Sequence, residues 1–264
     1  MSAADVRLAA DTILGRSAGR HLLVLADFDG TLCEFDPDPR AVWLPDGPRT
    51  ALEQLGGAGA TIALVTGRRL EDVRARAALG VPAYYAGLHG LEIHGPDERY
   101  EHPGTARAQG VLHTLAAAIA RDLADVPGAF VEDKGLAVVA HYRAASDEDG
   151  AAVEARVLRH ARPLLDAGEL RTMHGACALE LLPNIDWDKG RAVDWIRERV
   201  ARAHADVWPL YIGDDVTDED GFRAVESIGL SIAASSRATG ADLAVDGPAE
   251  VEALLRQIAP PQRA

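Results

Sequence analysis

Residues 21–26 (HLLVLA) form a short, almost continuously apolar run that ends at a carboxylate. Runs of this kind suit strands buried on both faces of a parallel sheet. A second run spans 61–65 (TIALV), and a third candidate spans 83–86. Between the first two, residues 48–56 place Ala51, Leu52 and Leu55 on one helical face and stop at Gly56-Gly57. Residues 70–79 repeat the amphipathic spacing. Strand, helix, strand, helix, strand predicts a right-handed parallel α/β core.

The pattern then changes. Residues 91–100 read as a hairpin with Gly95-Pro96-Asp97 at its turn. A helix over 105–123 precedes two strands, 129–132 and 136–142, separated by Asp133-Lys134-Gly135. A helix over 147–166 precedes two more, 170–173 and 178–182. Helix, two strands, helix, two strands predicts a compact α+β unit with antiparallel neighbours. After Pro183 the first alternation resumes: helix 191–203, strand 209–212, helix 219–226, short strands 231–233 and 243–245, and a closing helix 248–258. The expectation is an α/β core interrupted by an inserted α+β domain, without internal repeats.

Composition narrows the partners. The 264 residues carry a formal net charge of −14, which disfavours nucleic acid and anionic membranes. No window approaches the ~20 apolar residues of a membrane span. Asp5, Arg7, Asp11, Arg16 and Arg20 interrupt any secretory apolar core. A cytoplasmic protein is the expectation. Cys33 and Cys177 lack metal-ligand spacing and read as small buried hydrophobes, and the four tryptophans read as packing residues. His113 and His160 read as surface or packing residues of helices.

Four segments carry candidate chemistry. Asp27-Phe28-Asp29-Gly30-Thr31-Leu32 follows the first strand directly. At a strand end, Gly30 lets the backbone turn and bring both carboxylates to one site, where open α/β sheets bind ligands. One could attack phosphorus while the other protonates the leaving oxygen. An Asp-Gly pair also makes an ordinary turn. Thr66-Gly67-Arg68 closes the second strand, and a hydroxyl beside a helix start suits either a phosphoryl oxygen or a simple cap. Asp188-Lys189-Gly190 opens a later helix with a lysine able to neutralise phosphoryl charge, or simply solvated. Residues 211–220 (YIGDDVTDED) place an acidic run after a strand. Helix capping accounts for one or two of those acids, whereas the whole run calls for a hard cation such as Mg²⁺. A cation also reconciles an acidic protein with an anionic substrate.

Taken in this order, the segments resemble the haloacid dehalogenase superfamily of aspartyl-phosphate phosphatases. The likeness covers residues 21–103 and 183–250. It implies a Rossmann-like parallel-sheet catalytic core over 1–103 and 183–264 and an α+β cap over 104–182 that sets specificity. By the same resemblance Asp27 is the nucleophile, and Asp29 is the general acid and then the base. Thr66 and Lys189 hold the phosphoryl group, with Gly30 and Gly67 beside it. Asp27, the Asp29 carbonyl and Asp214 would bind Mg²⁺, supported by Asp215 and Asp218.

Residues 213–220 (GDDVTDED), 87–93 (GLHGLEI), 131–135 (VEDKG) and His141-Tyr142-Arg143 look more narrowly like trehalose-6-phosphate phosphatases. That implies hydrolysis of trehalose 6-phosphate to trehalose and phosphate, with Glu132, Lys134, Arg143 and Glu180 contacting the substrate. His89, beside Gly90 at the core-to-cap junction, is a further substrate-contact candidate, and a monomer is expected. The chain departs from the pattern at Ala176, where a lysine is usual, at Leu182, where a basic residue is usual, and over 184–187, which lacks a common glycine. These departures keep a related sugar or pseudo-disaccharide phosphate open as substrate. A phosphomutase would share the aspartyl phosphate, and a non-catalytic sugar-phosphate sensor would share the fold.

Overall fold

The computed structural model describes residues 3–36, 38–175, 177–237 and 239–260. Ala176 lies outside the described residues. The chain opens with α1 (Ala3–Ser17), β1 (His21–Ala26), α2 (Asp46–Gly57), β2 (Thr61–Val65), α3 (Leu70–Ala77) and β3 (Ala83–Gly87), then a hairpin of β4 (Glu92–His94) and β5 (Arg99–Glu101). Next come α4 (Thr105–Asp122), β6 (Phe130–Asp133), β7 (Val138–His141), α5 (Asp147–Asp166), β8 (Leu170–Gly175) and β9 (Ala178–Pro183). The last part is α6 (Lys189–Ala203), β10 (Val207–Gly213), α7 (Asp218–Val225), β11 (Leu230–Ala233), β12 (Leu243–Ala244) and α8 (Pro248–Ile258).

Two compact units result. The first holds an eight-stranded sheet in the order β12-β11-β10-β1-β2-β3-β4-β5. It is parallel from β12 to β3, and β4 joins antiparallel. Central strand β1 pairs β10 on one side and β2 on the other, and Leu23, Val24, Leu25 and Ala26 have no exposed surface. A strand covered on both faces needs no polar alternation, which is why its sequence is uniformly apolar. Leu23 and Leu25 pack towards α6, with Val193 and Ile196, while Val24 and Ala26 pack in the cluster that contains Leu52, Leu254 and Leu255.

The second unit spans residues 101–186. Its four-stranded antiparallel sheet runs β6-β7-β9-β8. Val138, Ala140, Leu179 and Leu181 face a core completed by Leu112 and Ile119 of α4 and Val153 and Val157 of α5. The opposite sheet face carries Glu132, Val139 and Glu180, which stand in register across three strands. The flanks of the unit are tied into it. Thr105 Oγ1 donates to Glu101 Oε1 at 2.8 Å, and Asn184 N donates to Glu169 O at 2.9 Å.

Some local expectations need correction. Cys33 is buried, but Cys177 is exposed in the turn before β9 with φ +60°. Trp43 is 58% exposed rather than packed, with the Arg76 guanidinium 5.2 Å over its ring. The strand expected over 136–142 starts only at Val138, because Lys134 N donates to Ala137 O at 2.9 Å and closes a turn first. Helix α1 is not among the expected elements, although Val6, Ala9, Ala10 and Ile13 form its buried stripe. None of the helices among the described residues is long and apolar enough to cross a membrane.

Candidate active site

The carboxyl end of β1 carries the site. Asp27 N donates to Ile212 O at 2.9 Å, extending the ladder with β10 by one residue and holding Asp27 at the centre of the sheet edge. The chain then turns: Leu32 N and Cys33 N both donate to Phe28 O, and Gly30 N donates to Cys33 O at 2.8 Å. Gly30 has φ +79°, a region costly for residues with a Cβ, and an added Cβ would collide with Asp214 Oδ2. Conformation and space both require glycine there.

Lys189, the first residue of α6, is 2% exposed and bridges two acids. Its Nζ lies 3.0 Å from Asp27 Oδ1 and 2.7 Å from Asp218 Oδ1. Asp218 has no exposed surface, and its acceptor oxygens are directed inward. Besides Lys189, Tyr211 Oη donates to its Oδ1 at 2.7 Å, while Asp214 N and Asp215 N donate to its Oδ2. Asp218 therefore shapes the turn that presents Asp214. Thr31 Oγ1 donates to Asp214 Oδ1 at 2.8 Å. Arg237 secures the turn from outside, donating to Asp214 O, Asp215 O and Glu219 Oε1.

Electrostatics follow from burial. Burial pushes Asp27 well above the ordinary carboxylate range; Lys189 opposes this, and the charges of Asp218, Asp214 and Asp29 add to it. Asp214 is raised to about 7, by burial first and by Asp218, against the Thr31 hydrogen bond. Burial alone would lower Lys189, but Asp218 and Asp27 outweigh it and raise it. Carboxylate oxygens of Asp27, Asp214 and Asp218 lie within 4.8 Å of one another. One lysine cannot neutralise three acids, so the donor set fits a hard divalent cation on chemical grounds.

Thr66 directly follows β2, the strand beside β1; it is 2% exposed, and its hydroxyl accepts from Arg68 N at 3.2 Å. The His89 ring lies against Gly67, where an added Cβ would meet Cε1 at 2.9 Å. His89 N donates to Thr66 O at 2.9 Å, and Leu88, His89 and Gly90 all have positive φ, folding the loop after β3 back onto the end of β2. Asp29 stands apart from the three clustered acids. Arg68 clasps it with two parallel bonds, Nε to Oδ2 and Nη2 to Oδ1, both 2.6 Å. Arg68 also donates to Asp72 Oδ2 and Pro39 O. Asp215 is exposed, and its Oδ1 accepts from Val216 N.

In the second unit, Lys134 Nζ donates to Glu180 Oε1 at 3.2 Å, and His141 Nε2 lies 3.0 Å from Glu132 Oε2. Burial would raise Glu132, but the His141 hydrogen bond and the Lys134 charge hold it below the usual range. Arg143 lies beyond β7 and is exposed.

Sequence reasoning missed Arg68, Arg237, Tyr211 and His141 as site residues. Arg68 closes the motif 66–68 and His141 opens the motif 141–143, and the alternation along β7 puts His141 on the face of Val139. Nothing local marks Arg237, which lies more than twenty residues from the turn it holds.

The core fold is shared with a haloacid dehalogenase-like hydrolase from Bacteroides thetaiotaomicron: TM-score 0.59, 16% identity, covering 90% of this chain and 99% of that one. The C-terminal domain of C. albicans trehalose-6-phosphate phosphatase superposes with TM-score 0.78 at 20% identity, covering 95% and 96% of the two chains. The class is thus a Rossmann-like α/β fold of the haloacid dehalogenase type with an inserted α+β unit. A family model described as trehalose-phosphatase matches residues 25–248, and the chain belongs to that family. It is 40% identical over 244 residues to a trehalose-phosphate phosphatase of Mycobacterium bovis (strain BCG / Pasteur 1173P2), a match covering 88% of this chain and 60% of that protein.

Proposed function

We propose that the chain hydrolyses trehalose 6-phosphate to trehalose and phosphate, with Asp27 as nucleophile. The observation that carries this reading is the buried Asp27–Lys189–Asp218 bridge at the central strand end. Lys189 opposes the rise that burial imposes on Asp27 and so favours the ionised carboxylate that in-line attack on phosphorus requires. A carboxylate oxygen of Asp27 bonds to phosphorus as the sugar oxygen departs, giving an aspartyl phosphate. Asp29 protonates that leaving oxygen, then takes a proton from the water that cleaves the acyl phosphate. Because Arg68 clasps both Asp29 oxygens, Asp29 must loosen from Arg68 to donate. Thr66 and Lys189 bind the phosphoryl oxygens, with Gly30 and Gly67 leaving room for them and His89 bordering Gly67.

Asp27, the Asp29 carbonyl and Asp214 would hold Mg²⁺, with Asp215 and Asp218 in support. When bound, the cation offsets negative charge on acids and phosphate. Glu132, Lys134, Glu180 and Arg143 are assigned to sugar hydroxyls, for which charged partners form strong directional bonds. The cap role of residues 104–182 and a cytoplasmic, monomeric enzyme belong to the same proposal.

A second reading keeps the chemistry and changes the substrate to a related sugar or pseudo-disaccharide phosphate. It is favoured by Leu182, which is 1% exposed and apolar where a basic residue is usual. Phosphate release from trehalose 6-phosphate, with and without Mg²⁺ and beside a panel of sugar phosphates, tests both. Metal-dependent turnover highest on trehalose 6-phosphate supports the first; a higher kcat/KM on another sugar phosphate transfers the proposal to the second.

A further inference from the structure

Phe35 is a large apolar side chain placed at an acidic site, and it is 61% exposed. It lies three residues past the Asp27–Leu32 segment, between Glu34 and Asp36, both exposed. Its ring is not loose in solvent: an atom added at the Gly30 Cβ position would meet Phe35 Cε2 at 2.5 Å and would collide with Asp214 Oδ2. Ring edge and carboxylate therefore crowd the same point above Gly30. The segment bearing the ring is anchored at both ends by site residues. Upstream, Cys33 N and Sγ both donate to Phe28 O. Downstream, Arg68, which clasps Asp29, also donates to Pro39 O at 2.9 Å.

An aromatic ring held against a glycine, with most of its surface outward, offers an apolar face beside a phosphoryl-transfer site. Hexose rings present C–H faces between their hydroxyls, and those faces bury well on aromatic rings. Specific pockets combine such apolar platforms with a few placed polar groups.

We propose that Phe35 is a specificity-determining residue that packs on the C–H face of the hexose carrying the phosphate. This rests on the sugar-phosphatase reading above and adds a contact from the core unit to it. The ring would act on sugar binding and leave the phosphoryl chemistry to Asp27.

The test compares Phe35→Ala and Phe35→Tyr with wild type, in Mg²⁺, on trehalose 6-phosphate and on acetyl phosphate, which has no ring. For Phe35→Ala the ratio of kcat/KM on the sugar phosphate to that on acetyl phosphate should fall about 10-fold, mainly through KM. Phe35→Tyr should restore it. Thermal melting of each variant checks folding. An equal fall on both substrates overturns the proposal, because the ring would then serve only the acidic turn. An unchanged ratio with wild-type rates overturns it too. If wild type prefers another hexose phosphate, that substrate replaces trehalose 6-phosphate in the ratio. A wild type idle on every hexose phosphate but active on acetyl phosphate removes the sugar-phosphatase reading itself, and Phe35 with it, without any variant being needed.

Discussion

The two units both contain charged clusters, and the clusters are built differently. In the first unit, Asp27, Asp214 and Asp218 crowd around Lys189; burial and neighbouring acids raise Asp27 and Asp214, while the acids raise Lys189 against its burial. In the second, acids and bases come in pairs: Lys134 with Glu180 and His141 with Glu132. The first arrangement holds excess negative charge that a further cation would relieve. In the second, the Lys134 cation is matched one to one by the Glu180 carboxylate. Uncompensated charge suits bond-making at phosphorus, and compensated charge suits recognition of neutral hydroxyls.

The sharpest way to test this contrast is Asp27→Asn. Phosphate release should fall by at least about 1,000-fold, since the proposed nucleophile is lost. Because a repelling charge also leaves the cluster, the melting temperature should hold or rise. Retained turnover would remove Asp27 from the mechanism.

Lys189→Met addresses the same cluster through stability. Removing the cation that bridges two buried acids should cost about 3–5 kcal/mol, read from the urea midpoint. A loss below about 1 kcal/mol would mean that the bridge is not what compensates those acids.

Glu180→Gln should behave differently. The amide keeps the shape but loses the charge, so KM should rise about 10-fold while kcat stays within about 2-fold. A fall in kcat alone would place Glu180 with the chemistry.

The smallest effect expected is the pH dependence of cation stabilisation. Asp214 has a folded value of about 7 against 3.8 unperturbed, so the folded state binds the proton more tightly than the unfolded chain. Its contribution to stability is full below about pH 4 and is lost as pH rises through about 7. In chelator the melting temperature should drop across that window, and added Mg²⁺ should raise it more at pH 8 than at pH 5. Equal shifts at both values would separate the cation from this acid.

Much of the fold was legible because burial leaves a simple signature. Strands β1 and β2 and helices α5 and α8 carry the expected bounds, each being an apolar run or stripe closed by a turn residue or cap. Helix α1 was not legible, because two of its four buried positions are alanines, whose weak hydrophobicity barely marks a face. Trp43 and Cys177 departed from expectation for a related reason: residue type alone does not say whether a neighbouring element arrives to cover it.

At the site, the sequence by itself determined which groups stand at strand ends, because apolar runs stop where carboxylates and glycines begin. Asp27, Thr66 and Asp214 could be nominated on that ground alone. Only the tertiary structure decided their partners: that Lys189 reaches both Asp27 and Asp218, that Arg68 clasps Asp29, and that Arg237 holds the acidic turn. The physical reason is range. Periodicity and turn chemistry are set by residues a few positions apart, whereas charge and hydrogen bonding act through space between segments that only the folded sheet brings together.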